Sequence, residues 1–353
     1  MPDAATRPRR ILLVRLSAIG DLVFASPLIA SARRRFPDAH LAWLVQPECA
    51  PMLRYHPDLD EVIEWPLSRW RLLWRQRRLA ALGREVASEV QALRERRFDL
   101  AIDLQGLLKS ALPARLSGAA MRIGLGSREG GRLLMTRVVG RGSDSQRISS
   151  EYRYLAESLG WPTDEFRMRV YPGAEAESSA QELIVRHGLA GGYAVFCPFT
   201  TRAQKHWIGE RWGRLAARIQ EQFLLRSVML GGPGDVEAAR SIAADASSSI
   251  VNLVGSTTLL SAAALIAQAR WLVGVDTGLS HVGIAMERPS VLLFGSTCPY
   301  TETGTANARV LYHPRDCSPC RRRPTCDGAF TCMRDIEIDE VIDALMAHSG
   351  VDS

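Results

Sequence analysis

The chain has 353 residues, 46% of them hydrophobic and 23% charged, which is the balance of a folded water-soluble protein and more chain than one ordinary core uses. A net charge of +6 favours anionic substrates or surfaces but does not single out nucleic acid. No apolar run reaches the ~18 residues of a membrane span, and Arg15 and Asp21 interrupt the first apolar stretch, so it reads as a strand and not a secretion signal. The expectation is a cytoplasmic protein of two domains, with its seven cysteines reduced or metal-bound.

Short apolar strands alternate with helical segments. The clearest strands are Ile11–Val14, Leu41–Val45, Leu100–Asp103, Ala194–Cys197, Ser227–Leu230, Trp271–Val275 and Val291–Phe294. Helical periodicity runs through Leu22–Arg34, Trp212–Gln222 and Thr258–Ala269. This alternation predicts an α/β protein with largely parallel sheets. Tyr171–Ser179 reads as a linker, so the expected domains are residues 1–172 and 173–353, each doubly wound and Rossmann-like, facing one another across a cleft.

The first strand runs into Arg15-Leu-Ser-Ala-Ile-Gly-Asp21, where Asp21 is a candidate general base or simply a helix cap. No G-x-G-x-x-G follows that strand, which argues against a dinucleotide enzyme. From Trp65 to Arg97 the chain is basic and aromatic, suited to a solvated helix face with its three tryptophans packed into the core or to an anionic bilayer surface, with Arg69 and Arg71 the better ligand candidates. Asp103-Leu-Gln-Gly-Leu-Leu-Lys109 follows another strand, and Asp103 reads either as a cleft-edge group or as a buried carboxylate that fixes the loop. Arg122 and Arg128 add positive charge after the next segment.

Three turns in the second half suit phosphate. Thr200, Thr201 and Lys205 follow a strand and offer hydroxyls and charge to a diphosphate. Gly231-Gly-Pro-Gly-Asp235 permits close backbone approach, with Asp235 a candidate ribose acceptor. In Val273–His281 a strand turns into a helix, presenting Asp276, Thr277, Gly278 and His281 at a helix N-terminus; the same residues also make an ordinary cap. Cys317, Cys320, Cys326 and Cys332, within the loop 316–333, have C-x2-C-x5-C-x5-C spacing, which fits a structural zinc or iron site, four reduced thiols, or disulfides formed on handling. Cys49, Cys197 and Cys298 are scattered and read as small apolar residues.

Taken together, Val14–Asp21, Arg69-Trp-Arg71, Ile102–Ser110, Thr200–Trp207 and Val275–His281 resemble the glycosyltransferase family 9 heptosyltransferases, in the same order and across nearly the whole chain. The resemblance implies a GT-B arrangement and an ADP-L-glycero-D-manno-heptose donor. It also implies a Kdo–lipid A acceptor at the inner face of the cytoplasmic membrane, a peripheral location, and no nucleic acid partner. By resemblance Asp21 is the base on the acceptor hydroxyl, and Lys205 with Thr200 and Thr201 stabilises the departing ADP. Asp276 and His281 contact the heptose, Thr277 and Gly278 the diphosphate, and Arg69 and Arg71 the anionic acceptor; Asp235 for the ribose and Arg128 for the acceptor side are read from the residues themselves. No catalytic metal is implied. The cysteine loop departs from the simplest members and is similar to loops of other branches, one of which modifies autotransporter proteins. A protein acceptor, or a non-catalytic nucleotide-sugar-binding assembly protein, therefore stays open.

Overall fold

The computed structural model describes residues 8–144, 146–245, 249–320 and 323–347. They form two compact units. The first takes the chain up to Asp144 and Ser149–Tyr171; the second takes the short segment ending at Ile148 and everything from Pro172.

The first unit is a six-stranded parallel sheet of β1 (Arg10–Val14), β2 (His40–Val45), β3 (Glu61–Glu64), β4 (Leu100–Asp103), β5 (Met121–Leu125) and β6 (Arg137–Val139), in the order β3-β2-β1-β4-β5-β6. The second repeats the plan with β7 (Tyr193–Cys197), β8 (Arg226–Met229), β9 (Ile250–Asn252), β10 (Trp271–Val275), β11 (Ser290–Phe294) and β12 (Ala308–Tyr312), in the order β12-β11-β10-β7-β8-β9. Central strands such as β1, β7 and β10 are covered on both faces, which is why they read as unbroken apolar runs. The strands without a clear sequence signal are nearer the edges; β3, for example, begins and ends on glutamate and buries only Ile63.

Two expectations, one of a helix and one of a linker, are corrected. Leu22–Arg34 is not one helix but α1 (Ile19–Ala25) and α2 (Pro27–Arg35). Pro27 has no N–H to continue the first helix, but it suits the first position of the second. The expected linker is mostly helix: after Pro172, Gly173 adopts φ 82° and α7 (Ala174–Arg186) begins at once on good helix formers.

Each sheet reverses its strand order once, between β1 and β4 and between β10 and β7. Loops leaving the carboxyl ends of such a strand pair diverge and open a crevice, the usual ligand position in an open parallel sheet. In the first unit those are the loops of Asp21 and of Asp103; in the second, of Lys205 and of Asp276.

The loop after β4 is tightly specified. Asp103 is fully buried and its Oδ1 accepts the N–H groups of Gln105 and Gly106, both at 3.0 Å. Burial pushes this carboxyl above its usual range, against the opposing effect of the Gly106 hydrogen bond. Asp103 is thus the loop-fixing carboxylate of its two readings. Gly106 has φ +69°, and a Cβ there would lie 2.2 Å from the backbone oxygen of Leu125. Gly106→Ala should lower the unfolding free energy by about 3 kcal/mol, read as a shifted urea midpoint with unchanged slope.

Candidate active site

In the second unit the site is built around Asp276, the residue between β10 and α11 (Gly278–Ala285). Because β7 and β10 are neighbours, the loop after β7 arrives beside it and a 3-10 turn, Ala203–Lys205, carries the lysine inward. Lys205 Nζ lies 2.6 Å from Asp276 Oδ2, and both side chains are largely buried, 17% and 13% exposed. The Thr297 hydroxyl donates to the same oxygen. His281 sits one turn along α11, with Nε2 3.3 Å from Asp276 Oδ1 and Nδ1 2.8 Å from the Tyr300 hydroxyl.

These contacts set the protonation states. Burial alone would raise the Asp276 carboxyl, but the hydrogen bond and charge of His281, and then the charge of Lys205, outweigh it and hold the group below the usual carboxylate range. Burial, with the Asp276 charge behind it, pushes the Tyr300 phenol well up, so it remains a donor. An ionised Asp276 needs an N–H from His281 Nε2; in a neutral ring Nδ1 then accepts from Tyr300.

The other predicted residues of this unit are close in topology. Thr277 is extended, at φ −142° and ψ 160°, and caps α11, whose first N–H groups begin at Gly278. Thr200 N–H points to His206 Nε2 at 3.4 Å, which orders the loop holding Thr200 and Thr201. Asp235 accepts the Gly232 N–H at 2.8 Å through Oδ2, so that oxygen shapes its own glycine turn. Thr297 and Tyr300 were missed in the sequence. They lie beyond β11 in a loop with no motif of its own, and only the adjacency of β11 to β10 brings them to Asp276.

In the first unit Asp21 lies in the first turn of α1 with its side chain 43% exposed. Its Oδ2 takes the Arg15 guanidinium at 2.6 Å and the Ala18 N–H at 3.2 Å. Arg15, also missed, is buried and donates from its other terminal nitrogen to Leu104 O at 2.9 Å, so the β4 loop and the acid share one anchor. Gln105 ties the same loops together, accepting the Leu16 N–H and donating to Ser17 O, each at 3.2 Å. The signal was an arginine directly after the buried apolar run Ile11–Val14.

The predicted arginines divide. Arg69 is turned onto Glu85, with Nε and a terminal nitrogen 2.8 and 2.7 Å from its two oxygens. Arg122 donates to the carbonyls of Leu134 and Ala119 and fastens a loop. Arg71 and Arg128 are exposed. Burial, and then the charge of Arg71, pushes the Lys109 ammonium down.

The four loop cysteines are free thiols. Burial pushes the Cys332 thiol up, and the charges of Cys317, Cys320 and Cys326 add to it. Among the described residues, no three His, Cys, Asp or Glu side chains are arranged to hold a metal ion.

Two doubly wound parallel sheets with ligand loops at their switch points form the GT-B α/β fold, and the chain is a glycosyltransferase. It belongs to glycosyltransferase family 9 (heptosyltransferase), whose profile matches residues 86–329. Lipopolysaccharide heptosyltransferase 1 of Pseudomonas aeruginosa is 30% identical over 327 residues, 90% of this chain and 87% of that protein. Its namesake in Escherichia coli K12 is 27% identical over 318 residues, 87% and 94% of the two chains. The solved E. coli heptosyltransferase WaaC with ADP superposes with a TM-score of 0.75 at 26% identity, covering 96% of this chain and 99% of that one. A family 9 glycosyl transferase from Veillonella parvula shares the fold, with a TM-score of 0.83 at 22% identity and coverage of 96% and 97%.

The depressed Asp276 carboxyl gives a signed pH dependence. Its pairing stabilises the fold above the unfolded carboxylate pKa of ~3.9 and is lost as pH falls through the lower folded value. Asp276→Asn should cost about 3 kcal/mol near neutral pH, where it strands Lys205. In urea unfolding at stepped pH, the gap to the parent should narrow steadily below about pH 4.

Proposed function

We propose that the protein transfers heptose from ADP-L-glycero-D-manno-heptose to a Kdo sugar of lipid A, with inversion at the anomeric carbon, during assembly of the lipopolysaccharide core. The observation that carries this reading is the buried Lys205–Asp276–His281 set at the start of α11. It combines a cation, a fixed acid–imidazole pair and helix N–H groups where a sugar diphosphate needs them. The lipopolysaccharide heptosyltransferases among the relatives support heptose transfer to lipopolysaccharide, and the E. coli heptosyltransferase WaaC solved with ADP supports the nucleotide.

In this reading Asp21 takes the proton of the acceptor hydroxyl, as its exposed side chain allows. The acceptor oxygen bonds to the anomeric carbon as the bond from that carbon to the diphosphate oxygen breaks. The released electron pair goes to ADP, where Lys205, the hydroxyls of Thr200 and Thr201 and the N–H groups at Thr277 and Gly278 offset the charge. Asp276 and His281 hold the heptose hydroxyls, Asp235 the nucleoside end, and Arg71 and Arg128 the anionic acceptor, with Arg69 joining if it leaves Glu85. Asp276 would then have two roles, holding Lys205 in the free enzyme and the sugar in the complex. The reaction proposed here assigns no step to a metal, and the protein acts at the inner face of the membrane that carries its acceptor.

The cysteine loop supports a second reading of the acceptor, a protein side chain, as in an autotransporter passenger. It also motivates a structural zinc or iron at Cys317, Cys320, Cys326 and Cys332. The donor set suits a soft metal, and the loop would have to draw the thiols together around it. Protein purified under reducing conditions should contain about one zinc or iron per chain, and a Cys317→Ser, Cys320→Ser variant almost none, by elemental analysis.

The transfer itself is tested with ADP-heptose, Kdo–lipid A and a passenger protein, followed by mass spectrometry. The heptose should appear on the Kdo substrate. Asp21→Ala should slow transfer on the order of a thousandfold and leave ADP affinity essentially unchanged by calorimetry. Near-normal transfer by that variant would remove Asp21 as the base, and product on the passenger alone would favour the protein acceptor.

A further inference from the structure

One side of the first unit is apolar where a solvated surface is expected. Helix α3 (Leu67–Arg75) packs Trp70 and Leu73 inward, with Trp70 edge-on to Trp65 at a centroid distance of 4.8 Å. Its other side should be polar. Instead Trp74 is 65% and Leu72 53% exposed, and Leu79, in the first turn of α4 (Leu79–Glu95), is 55% exposed. Between the helices lies an open groove of about 270 Å³ lined by Leu67, Trp70, Trp74 and Leu82 together with Arg71 and Arg75.

The neighbouring elements continue the pattern. Helix α5 (Leu108–Leu116) packs on α4 and on the 3-10 turn Gly131–Leu134. Leu108 and Leu112 of α5 are 47% and 48% exposed, and Leu133 of the turn is 90% exposed. Helix α4 packs against both α3 and α5, so the three helices are contiguous.

The hairpin is basic over its first part, and its first acid, Glu85, is held by Arg69. From Trp65 to Arg84 there are six arginines and no acidic residue. Arg77, in the turn between α3 and α4, adopts φ 56°, a conformation in which glycine or asparagine would be less strained. Tryptophan and leucine flanked by arginines on a short helix match the interface of an anionic bilayer, where rings and aliphatic chains enter the headgroup layer and guanidiniums meet lipid phosphates. No helix among the described residues is long and apolar enough to cross a membrane, so this would be a peripheral contact.

We propose that the α3–α4 hairpin, with Leu108, Leu112 and Leu133 beside it, is the surface by which this protein docks on an anionic lipid bilayer. The proposal rests on the reading of a lipid-borne acceptor and names the part of the chain that reaches it. Charge chooses this occupant: an uninterrupted basic stretch fits a surface of lipid phosphates, while a second copy would set arginines against arginines.

The test is sedimentation of the full chain with phosphatidylethanolamine–phosphatidylglycerol vesicles and with neutral phosphatidylcholine vesicles. The parent should bind the anionic vesicles and much less of the neutral ones. A Trp74→Ser, Leu133→Ser variant should bind on the order of tenfold more weakly, because it removes apolar area that enters the bilayer. An Arg75→Glu, Arg77→Glu variant should lose roughly fivefold or more per arginine on anionic vesicles. Both variants should transfer heptose to a deacylated, water-soluble Kdo acceptor at the parent rate, because these side chains lie outside the reaction residues. Equal vesicle binding by parent and variants, or equal binding to neutral vesicles, would overturn the proposal. So would a parent dimer in light scattering that the variants abolish, since that makes the face a contact between copies. Vesicle binding as expected, with no transfer by the parent to the deacylated acceptor, would overturn the transfer reading and leave the docking surface standing.

Discussion

One buried carboxylate organises the second unit. Asp276 accepts from Lys205 and Thr297 on one oxygen and pairs with His281 on the other, and His281 is held in turn by Tyr300. Desolvating a carboxylate is costly unless such partners surround it. The same partners fix a cation and an imidazole at the positive end of α11, so the interactions that make the buried charge tolerable also pre-position the groups that a sugar diphosphate meets.

The first unit uses the same economy with a different anchor. Arg15, buried at the end of β1, joins Asp21 to the carbonyl of Leu104, while Gln105 and Asp103 lock the loop after β4 from its other side. The acid stays half-exposed and is oriented from below. Reactive groups placed this way are tied back to rigid strand ends, which limits the reorganisation a reaction must wait for. The two sheets share one strand order, and in each the crevice falls where that order reverses.

Most of the central fold was legible because strands covered on both faces leave continuous apolar runs, as in Ile11–Val14 and Trp271–Val275. Edge strands were not, since β3 and β12 mix charged and apolar positions. Tyr171–Ser179 looked like a linker because its small and acidic residues also suit loops, and it became helix once Gly173 turned the chain. The arginines and tryptophans of α3 were readable only as a choice between a solvated face over a tryptophan core and a surface for an anionic ligand or bilayer. Burial decided it for Trp70 and exposure for Trp74.

By itself the sequence determined the alternation of strands and helices, the family, and which loops carry chemistry, because strand-to-helix turns bearing Asp21, Lys205 and Asp276 are local patterns. Tertiary structure decided the partnerships. Lys205 and Asp276 are 71 positions apart and Arg15 and Leu104 are 89 apart, and each pair meets only because parallel strands distant in the chain lie side by side. Thr297 and Tyr300 entered the site, and Arg69 was turned onto Glu85, by the same cause: hydrogen bonding and charge pairing act across space, and spacing along the chain does not encode them.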